Sequence, residues 1–407
     1  MIPSEVYALG ASGNPIREIA DYAMRRAEEV GAENVYDFSI GSPSIAPPVA
    51  VQETAQRLMK EMSPTQLHAY SPDQGLPEVR KAVAEYLNGA FSMAYAPEDI
   101  YMTSGASAGL AIGCRALLSP GDECITLTPY FSEYRTYTEA AGGVMREVSC
   151  EPETFQLDYE AFAAAVNGKT WLVILNSPNN PSGVVLGDES IRKIAGLLTE
   201  RSAEYGHPIY ILADEPYRDL VYDGDAVPYI PNFYPDTIYC YSFSKSLSLP
   251  GERVGYLAVP PESKDRATLR AAVSGAGRML GYVCAPVLFQ RVCAACLGQT
   301  GELREYKEKP RSHLRRARRA RLFLREAAGG VLSLRKITGG GRTRLLQKGD
   351  GARSSARAGR RFRLSGLRPP CLLRAGGAAA PLTARLCRSR GRIRLESRIN
   401  QRKGRAS

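Results

Sequence analysis

The 407 residues include only one tryptophan and three histidines. No stretch of about eighteen apolar residues free of charge occurs, which excludes an ordinary membrane-spanning helix. The opening MIPSEVYALG has no basic leader followed by a long apolar stretch, so a soluble, unexported, cytoplasmic protein is expected. His68, His207 and His313 lie far apart without the carboxylate spacing of a zinc site, which leaves metal chemistry and a Ser-His-Asp triad poorly supported, although residues distant in sequence can still meet in space. The nine cysteines, Cys114, Cys124, Cys150, Cys240, Cys284, Cys293, Cys296, Cys371 and Cys387, lack the density of a disulfide scaffold and read as reduced thiols. Cys293 and Cys296 form one C-x-x-C in an Ala-rich, helix-like run from Leu288 to Leu297, without the second pair a metal needs, and read as structural.

Acidic residues are nearly missing from the last quarter. Residues 1–309 carry 25 Lys+Arg against 39 Asp+Glu, a balance of −14, whereas residues 310–407 carry 28 against 3, a balance of +25. All 22 tyrosines and the only tryptophan precede Pro310. The remainder is Arg, Gly, Ala, Ser and Leu, a composition that cannot bury a normal core, and disorder or poor folding is its physical reading. Arginine-rich tails can bind phosphate backbones. This one has no aromatic interleaving and no recognised motif, so neither nucleic acid nor membrane is expected as a partner.

The length allows two domains, or one large domain with a smaller lobe, and 44% apolar residues suffice for a packed core. Up to about Lys309, apolar β-rich runs alternate with amphipathic stretches, the rhythm of an α/β protein with a mainly parallel sheet. Strands are predicted at Ile100–Thr103, Glu123–Leu127, Trp171–Asn176, Tyr210–Asp214, Ile238–Tyr241 and Arg253–Val259, with helices between them, such as Ala106–Leu117 and Glu189–Tyr205. No internal repeat is visible.

Three segments at strand ends carry chemistry. In TSGASAGL, residues 103–110, a strand ends in a small-residue turn and a helix begins. The free N–H groups around Gly105, Ala106 and Ser107 can hold a phosphate, or can be ordinary capping. In ILADEPY, residues 211–217, Asp214 leaves a buried strand and can pair with a pyridine nitrogen, keeping it protonated so that the ring becomes an electron sink; Tyr217 can reach the ring's phenolic oxygen. In YSFSKSLSLPGERVGYLAV, residues 241–259, Lys245 sits in a Ser-rich turn between apolar strands. Desolvation and a neighbouring cation would lower its pKa and favour an imine. Ser242 and Arg253 can clamp a dianionic phosphate.

S-F-S-K with P-G-E-R-x-G, N-S-P-N-N-P-S-G at residues 176–183 and A-D-E-P-Y, in this order and at these separations, resemble the fold-type I pyridoxal-phosphate (PLP) aminotransferases, specifically the aspartate-aminotransferase-like group. The resemblance runs from roughly Ile16 to Lys309. It implies a mainly parallel central sheet flanked by helices with a second, smaller lobe that is here incomplete. The implied division is an N-terminal arm and part of the small lobe (1–45), a large PLP-binding domain (46–280), an interdomain helix region (281–309) and the basic tail (310–407).

The resemblance also implies roles. Lys245 would be the Schiff-base lysine and the proton carrier between the substrate α-carbon and cofactor C4′. Asp214 would pair with the pyridine nitrogen, Tyr217 and Asn180 would hold the ring oxygen, and Phe131 would stack on the ring. Gly105, Ala106, Ser107, Ser242 and Arg253 would take the phosphate. Tyr70, in H-A-Y-S-P-D-Q-G, would cross to the neighbouring subunit's phosphate, implying a homodimer with shared sites. Gly41, in S-I-G-S-P, and Asn180 would lie beside the substrate. The implied reaction is ping-pong transamination in amino acid metabolism and biosynthesis. A donor amino acid displaces Lys245 and leaves as a 2-oxo acid, then a second oxo acid reverses the steps. A PLP-dependent carbon–sulfur β-lyase shares the scaffold, and a non-catalytic remnant is the third reading.

The tail departs from the family, whose C-terminal lobe contains a glycine-aromatic segment and an arginine for the substrate α-carboxylate. Reading one nucleotide forward, F-R-L-S-G-L-R-P-P-C-L-L-R at 362–374 permits F-G-C-P-G-Y-V-R-L-A-Y-C-V, with the arginine codon straddling Pro369 and Pro370. The same shift permits R-D-L-I after Glu308 and Lys309. A frameshift near residue 309 is therefore the preferred account of the tail, with weakened cofactor binding and turnover as its consequence.

Overall fold

The computed structural model describes residues 2–11, 15–35, 41–221 and 226–305, together with the backbone of 323–324, 335–336 and 367–368. Five helices come first: α1 (Ser4–Ala11), α2 (Pro15–Val30), α3 (Val49–Glu61), α4 (Pro64–His68) and α5 (Pro77–Phe91). Strands and helices then alternate as β1 (Ile100–Thr103), α6 (Gly105–Leu117), β2 (Glu123–Thr128), α7 (Glu133–Ala140), β3 (Val144–Ser149), α8 (Tyr159–Ala165), β4 (Thr170–Asn176), α9 (Asp188–Tyr205) and β5 (Tyr210–Asp214). After β5 come β6 (Thr237–Ser242), the short α10 (Phe243–Ser246), β7 (Gly255–Ala258), α11 (Arg266–Leu280) and α12 (Val287–Ala295).

The seven strands form one sheet in the order β1-β7-β6-β5-β4-β2-β3. Neighbours from β6 to β3 pair in parallel, while β7 is antiparallel to both β1 and β6. The expected parallel character thus holds apart from one reversed strand. Central strands are buried on both faces, which is why β4, β5 and β6 read as continuous apolar runs rather than alternating ones. One face packs Val173, Ile211, Tyr239 and Tyr256 against α5 and α9 residues such as Leu87 and Ile194; the other packs Leu172, Leu212, Ile238 and Leu257 against α6 and α11. Each fully buried Leu or Ile contributes about 1.5–3 kcal/mol.

Helix α6 lies close to the sheet because Gly109 and Gly113 face it. A Cβ there would come within 2.9 Å of Cys240 Sγ and 2.8 Å of Leu212 Cδ2, respectively. Asp99, 1% exposed just before β1, is charge-paired with Arg266 and Arg270 of α11 and accepts the Ala96 N–H at 2.7 Å, tying that helix to the sheet's edge.

Two sequence expectations need adjusting. Strand β3 is absent from the predicted strands: it is an edge strand whose VMREVS exposes four of six residues, so it lacks the apolar run that marks its neighbours. The last predicted strand begins at Gly255 rather than Arg253, because Arg253 takes a left-handed φ of 53° that breaks extended geometry. The seven described cysteines are free, and Cys293 and Cys296 are buried. Among the described residues no cluster can hold a metal ion and no helix is long and apolar enough to cross a membrane. The basic tail, His313 and the two last cysteines lie outside the described residues, apart from the three backbone fragments.

Candidate active site

Asn176, Asp214 and Cys240 stand in register on three adjacent parallel strands, and the loops carrying the sequence motifs leave from their C-terminal ends, where open α/β sheets bind ligands. Asp214 closes β5 and is 5% exposed. Its Oδ2 accepts the Tyr134 hydroxyl at 2.5 Å, and its backbone carbonyl accepts Asn176 Nδ2 at 2.7 Å. Its Oδ1 is buried with no hydrogen-bond partner among the described residues. Burial pushes the carboxyl up to about 7, against the Tyr134 hydrogen bond and with help from the neighbouring Glu215 charge. A desolvated carboxylate with one open oxygen is a receptor for a cationic N–H.

Lys245 sits in α10, which Ser242 caps by accepting the Ser244 N–H at 3.3 Å. The amine donates to the Gly41 carbonyl at 2.6 Å and lies 5.6 Å from the centre of the Tyr217 ring. Burial, and then the Arg253 cation, lower its pKa to about 8. An amine in that range is largely a free nucleophile at mildly alkaline pH. Replacing Arg253 with methionine is expected to move the midpoint of Lys245 reactivity upward from about 8 towards the ordinary lysine value of 10.5. The check is the pH dependence of aldehyde condensation at Lys245; an unmoved midpoint would show that burial acts alone.

Arg253 donates to the Pro250 carbonyl at 2.9 Å and to Ser244 Oγ at 3.4 Å. Gly105, at φ 78°, opens α6 directly against this guanidinium: a Cβ there would lie 2.6 Å from Nη2. The first-turn N–H groups of a thirteen-residue helix and a guanidinium thus converge, a cradle suited to a phosphate. Ala106 and Ser107 complete that turn, half-buried. The Ser242 hydroxyl contacts Ser244 Oγ at 2.8 Å as well as capping α10.

Tyr217 is buried with Ile45 and Leu220, and Leu303 packs on the same group. Asn180 is half-buried, and its N–H donates to Asn176 Oδ1 at 2.6 Å. Phe131 meets Tyr134 edge-on, their ring centres 5.8 Å apart. Tyr70 is the outlier: 95% exposed, it joins no part of this cluster within one chain. Sequence reasoning missed Tyr134 and Asn176. Both stand in the quoted or adjoining motifs, three residues after Phe131 and at the head of N-S-P-N-N-P-S-G, but their pairing to Asp214 spans 80 and 38 residues.

An open carboxylate oxygen, an amine of lowered pKa and an anion cradle suit a group with a ring nitrogen, an aldehyde and a phosphate, which are the three functions of PLP.

Comparison with known proteins points the same way. A family model described as aminotransferase class I and II matches residues 32–338. A probable aspartate/prephenate aminotransferase of Aquifex aeolicus is 35% identical over 245 residues, covering 58% of this chain and 59% of that protein. The aspartate/prephenate aminotransferase of Thermus thermophilus is 33% identical over 232 residues, 55% of this chain and 56% of that protein. The chain therefore spans less than two thirds of the length of these two relatives. Among solved structures, an amino transferase from Eubacterium rectale superposes with a TM-score of 0.85 at 40% identity, covering 96% of this chain and 99% of that one. The aspartate aminotransferase of Thermotoga maritima gives a TM-score of 0.75 at 26% identity, covering 94% and 97%.

Proposed function

Because the chain belongs to the class I and II aminotransferases, a PLP-dependent family, we propose that it moves an amino group between an L-amino acid and a 2-oxo acid in a ping-pong cycle. The observation that carries this reading is the buried Oδ1 of Asp214, without a partner among the described residues, at the end of the strand paired with the one that leads into the helix of Lys245, an amine of lowered pKa. PLP, when bound, supplies an electron sink for the charge released at the substrate α-carbon. Asp214 receives the protonated ring nitrogen on Oδ1 while Tyr134 keeps Oδ2 in place. Tyr217 and Asn180 orient the ring oxygen, and Phe131 covers a ring face. Gly105, Ala106, Ser107, Ser242 and Arg253 bind the phosphate.

Lys245 Nζ would take the proton from the substrate α-carbon and hand it to the former aldehyde carbon of the cofactor, two bonds away. Its pKa near 8 suits both halves of that transfer at neutral pH. The Gly41 carbonyl holds Nζ in place, and Gly41 and Asn180 border the substrate. The apolar group of Ile45, Tyr217, Leu220 and Leu303 keeps water from this side.

The same reading makes the protein a cytoplasmic homodimer in which the exposed Tyr70 reaches the neighbouring subunit's phosphate. It keeps the division at 45, 280 and 309, and treats residues 310–407 as a lobe read in a shifted frame. L-Aspartate is the first donor to test, since several relatives are named for it.

With PLP, L-aspartate and 2-oxoglutarate, the purified chain is expected to form glutamate, and to release no pyruvate or ammonia from cysteine-type substrates lacking an oxo acid acceptor. Acceptor-independent pyruvate would establish a carbon–sulfur lyase instead.

A further inference from the structure

Lys245 is carried by a four-residue helix, too short to hold its own position by helix cooperativity. Its neighbour Ser246 supplies an anchor. Ser246 is 2% exposed, and its hydroxyl lies 2.7 Å from the Tyr241 hydroxyl. That same Tyr241 oxygen makes a short hydrogen bond to Asp219 Oδ2. The Tyr241 hydroxyl is thus directed at two acceptors, Asp219 Oδ2 and Ser246 Oγ, and its single proton lies between them. The result is a hydrogen-bonded chain in which Tyr241 bridges Ser246 and Asp219.

Each member is fixed from another direction. The Ser246 carbonyl accepts the Gly301 N–H at 3.2 Å. Tyr241 is 6% exposed and packs edge-on against Phe243. Asp219 follows Arg218, whose guanidinium is locked by Glu215 at 2.5 Å and by the Val227 carbonyl at 2.9 Å. The chain therefore joins the loop after Asp214 to the helix of Lys245. The charge of Asp219 is not among the influences on the lysine, which are burial and Arg253.

We propose that Asp219, Tyr241 and Ser246 are positioning residues that hold the turn of Lys245 in the geometry needed to condense with the cofactor aldehyde. The proposal rests on the reading of Lys245 given above. In the condensation the Nζ lone pair adds to the carbonyl carbon and water leaves. Borohydride then delivers hydride to the carbon of the C=N bond and solvent a proton to nitrogen, leaving a stable secondary amine.

The test is the rate of that trapped labelling at Lys245 in the full chain, followed by peptide mapping, with Trp171 fluorescence reporting the fold. S246A and Y241F are expected to label about tenfold more slowly, and S246T to recover the rate lost in S246A. The double variant S246A/Y241F should be no slower than the slower single variant, because one chain is broken once. The pH midpoint near 8 should stay in place in all of them. Wild-type rates in both single variants, a double variant slowed by the product of the two, a moved midpoint, or loss of the native Trp171 signal in the single variants would each overturn the proposal. Failure of the wild-type chain to label at Lys245 would instead remove the reading of that lysine.

Discussion

Replacing Asp214 with asparagine is expected to cut transamination while making the cofactor-free protein more stable at pH 8. The loss comes from the open Oδ1. An amide cannot offer a charged partner to a protonated ring nitrogen, and removing one member of a buried pair costs about 3–5 kcal/mol, some two to nearly four orders of magnitude in rate. The gain comes from the same oxygen. The folded carboxyl titrates at about 7 against an ordinary 3.8, so folding favours its protonated form. That raised pKa leaves stability intact below about pH 4 and removes it progressively as pH rises through 7, where the penalty is on the order of 4 kcal/mol. Asparagine carries no charge to desolvate. Thermal unfolding of both proteins without PLP should therefore show a melting temperature several degrees higher for D214N at pH 8, with the difference gone at pH 4. A variant less stable at both pH values would mean that the carboxylate is not held at a cost.

A second large effect concerns residues 310–407. A chain decoded one nucleotide forward after Lys309 is expected to turn over L-aspartate and 2-oxoglutarate about 30- to several-thousand-fold faster than the chain as written. The magnitude comes from restoring a carboxylate-binding arginine, since a missing charged partner in a desolvated site costs about 2–5 kcal/mol. PLP should also be held more firmly. The nucleotide sequence around the Lys309 codon tests the premise directly. Equal turnover from the two reading frames would remove it.

Much of this architecture is legible without coordinates because the signals are local. Strands β1 and β5 begin and end where their apolar runs do, and Lys245 stands out because its hydroxyl-rich turn lies between two such runs. The features that escape are either non-local or against local preference. The hydrogen bond from Tyr134 to Asp214, and the link from Asp219 through Tyr241 to Ser246, join residues whose types are ordinary and whose separations carry no period. Arg253 sits in a left-handed conformation that a non-glycine residue seldom adopts, so its segment reads as a strand two residues too long. Strand β3 hides because its outer face is polar, as edge strands are.

Every role assigned to the site depends on condensation of the amine at position 245 with PLP. Incubating the full chain with PLP, reducing with borohydride and mapping the modified peptides tests it. Lys245 is expected to be labelled ahead of every other lysine, and K245A to lose this site alone. Label distributed over other lysines, with the peptide containing Lys245 unmodified, would contradict it.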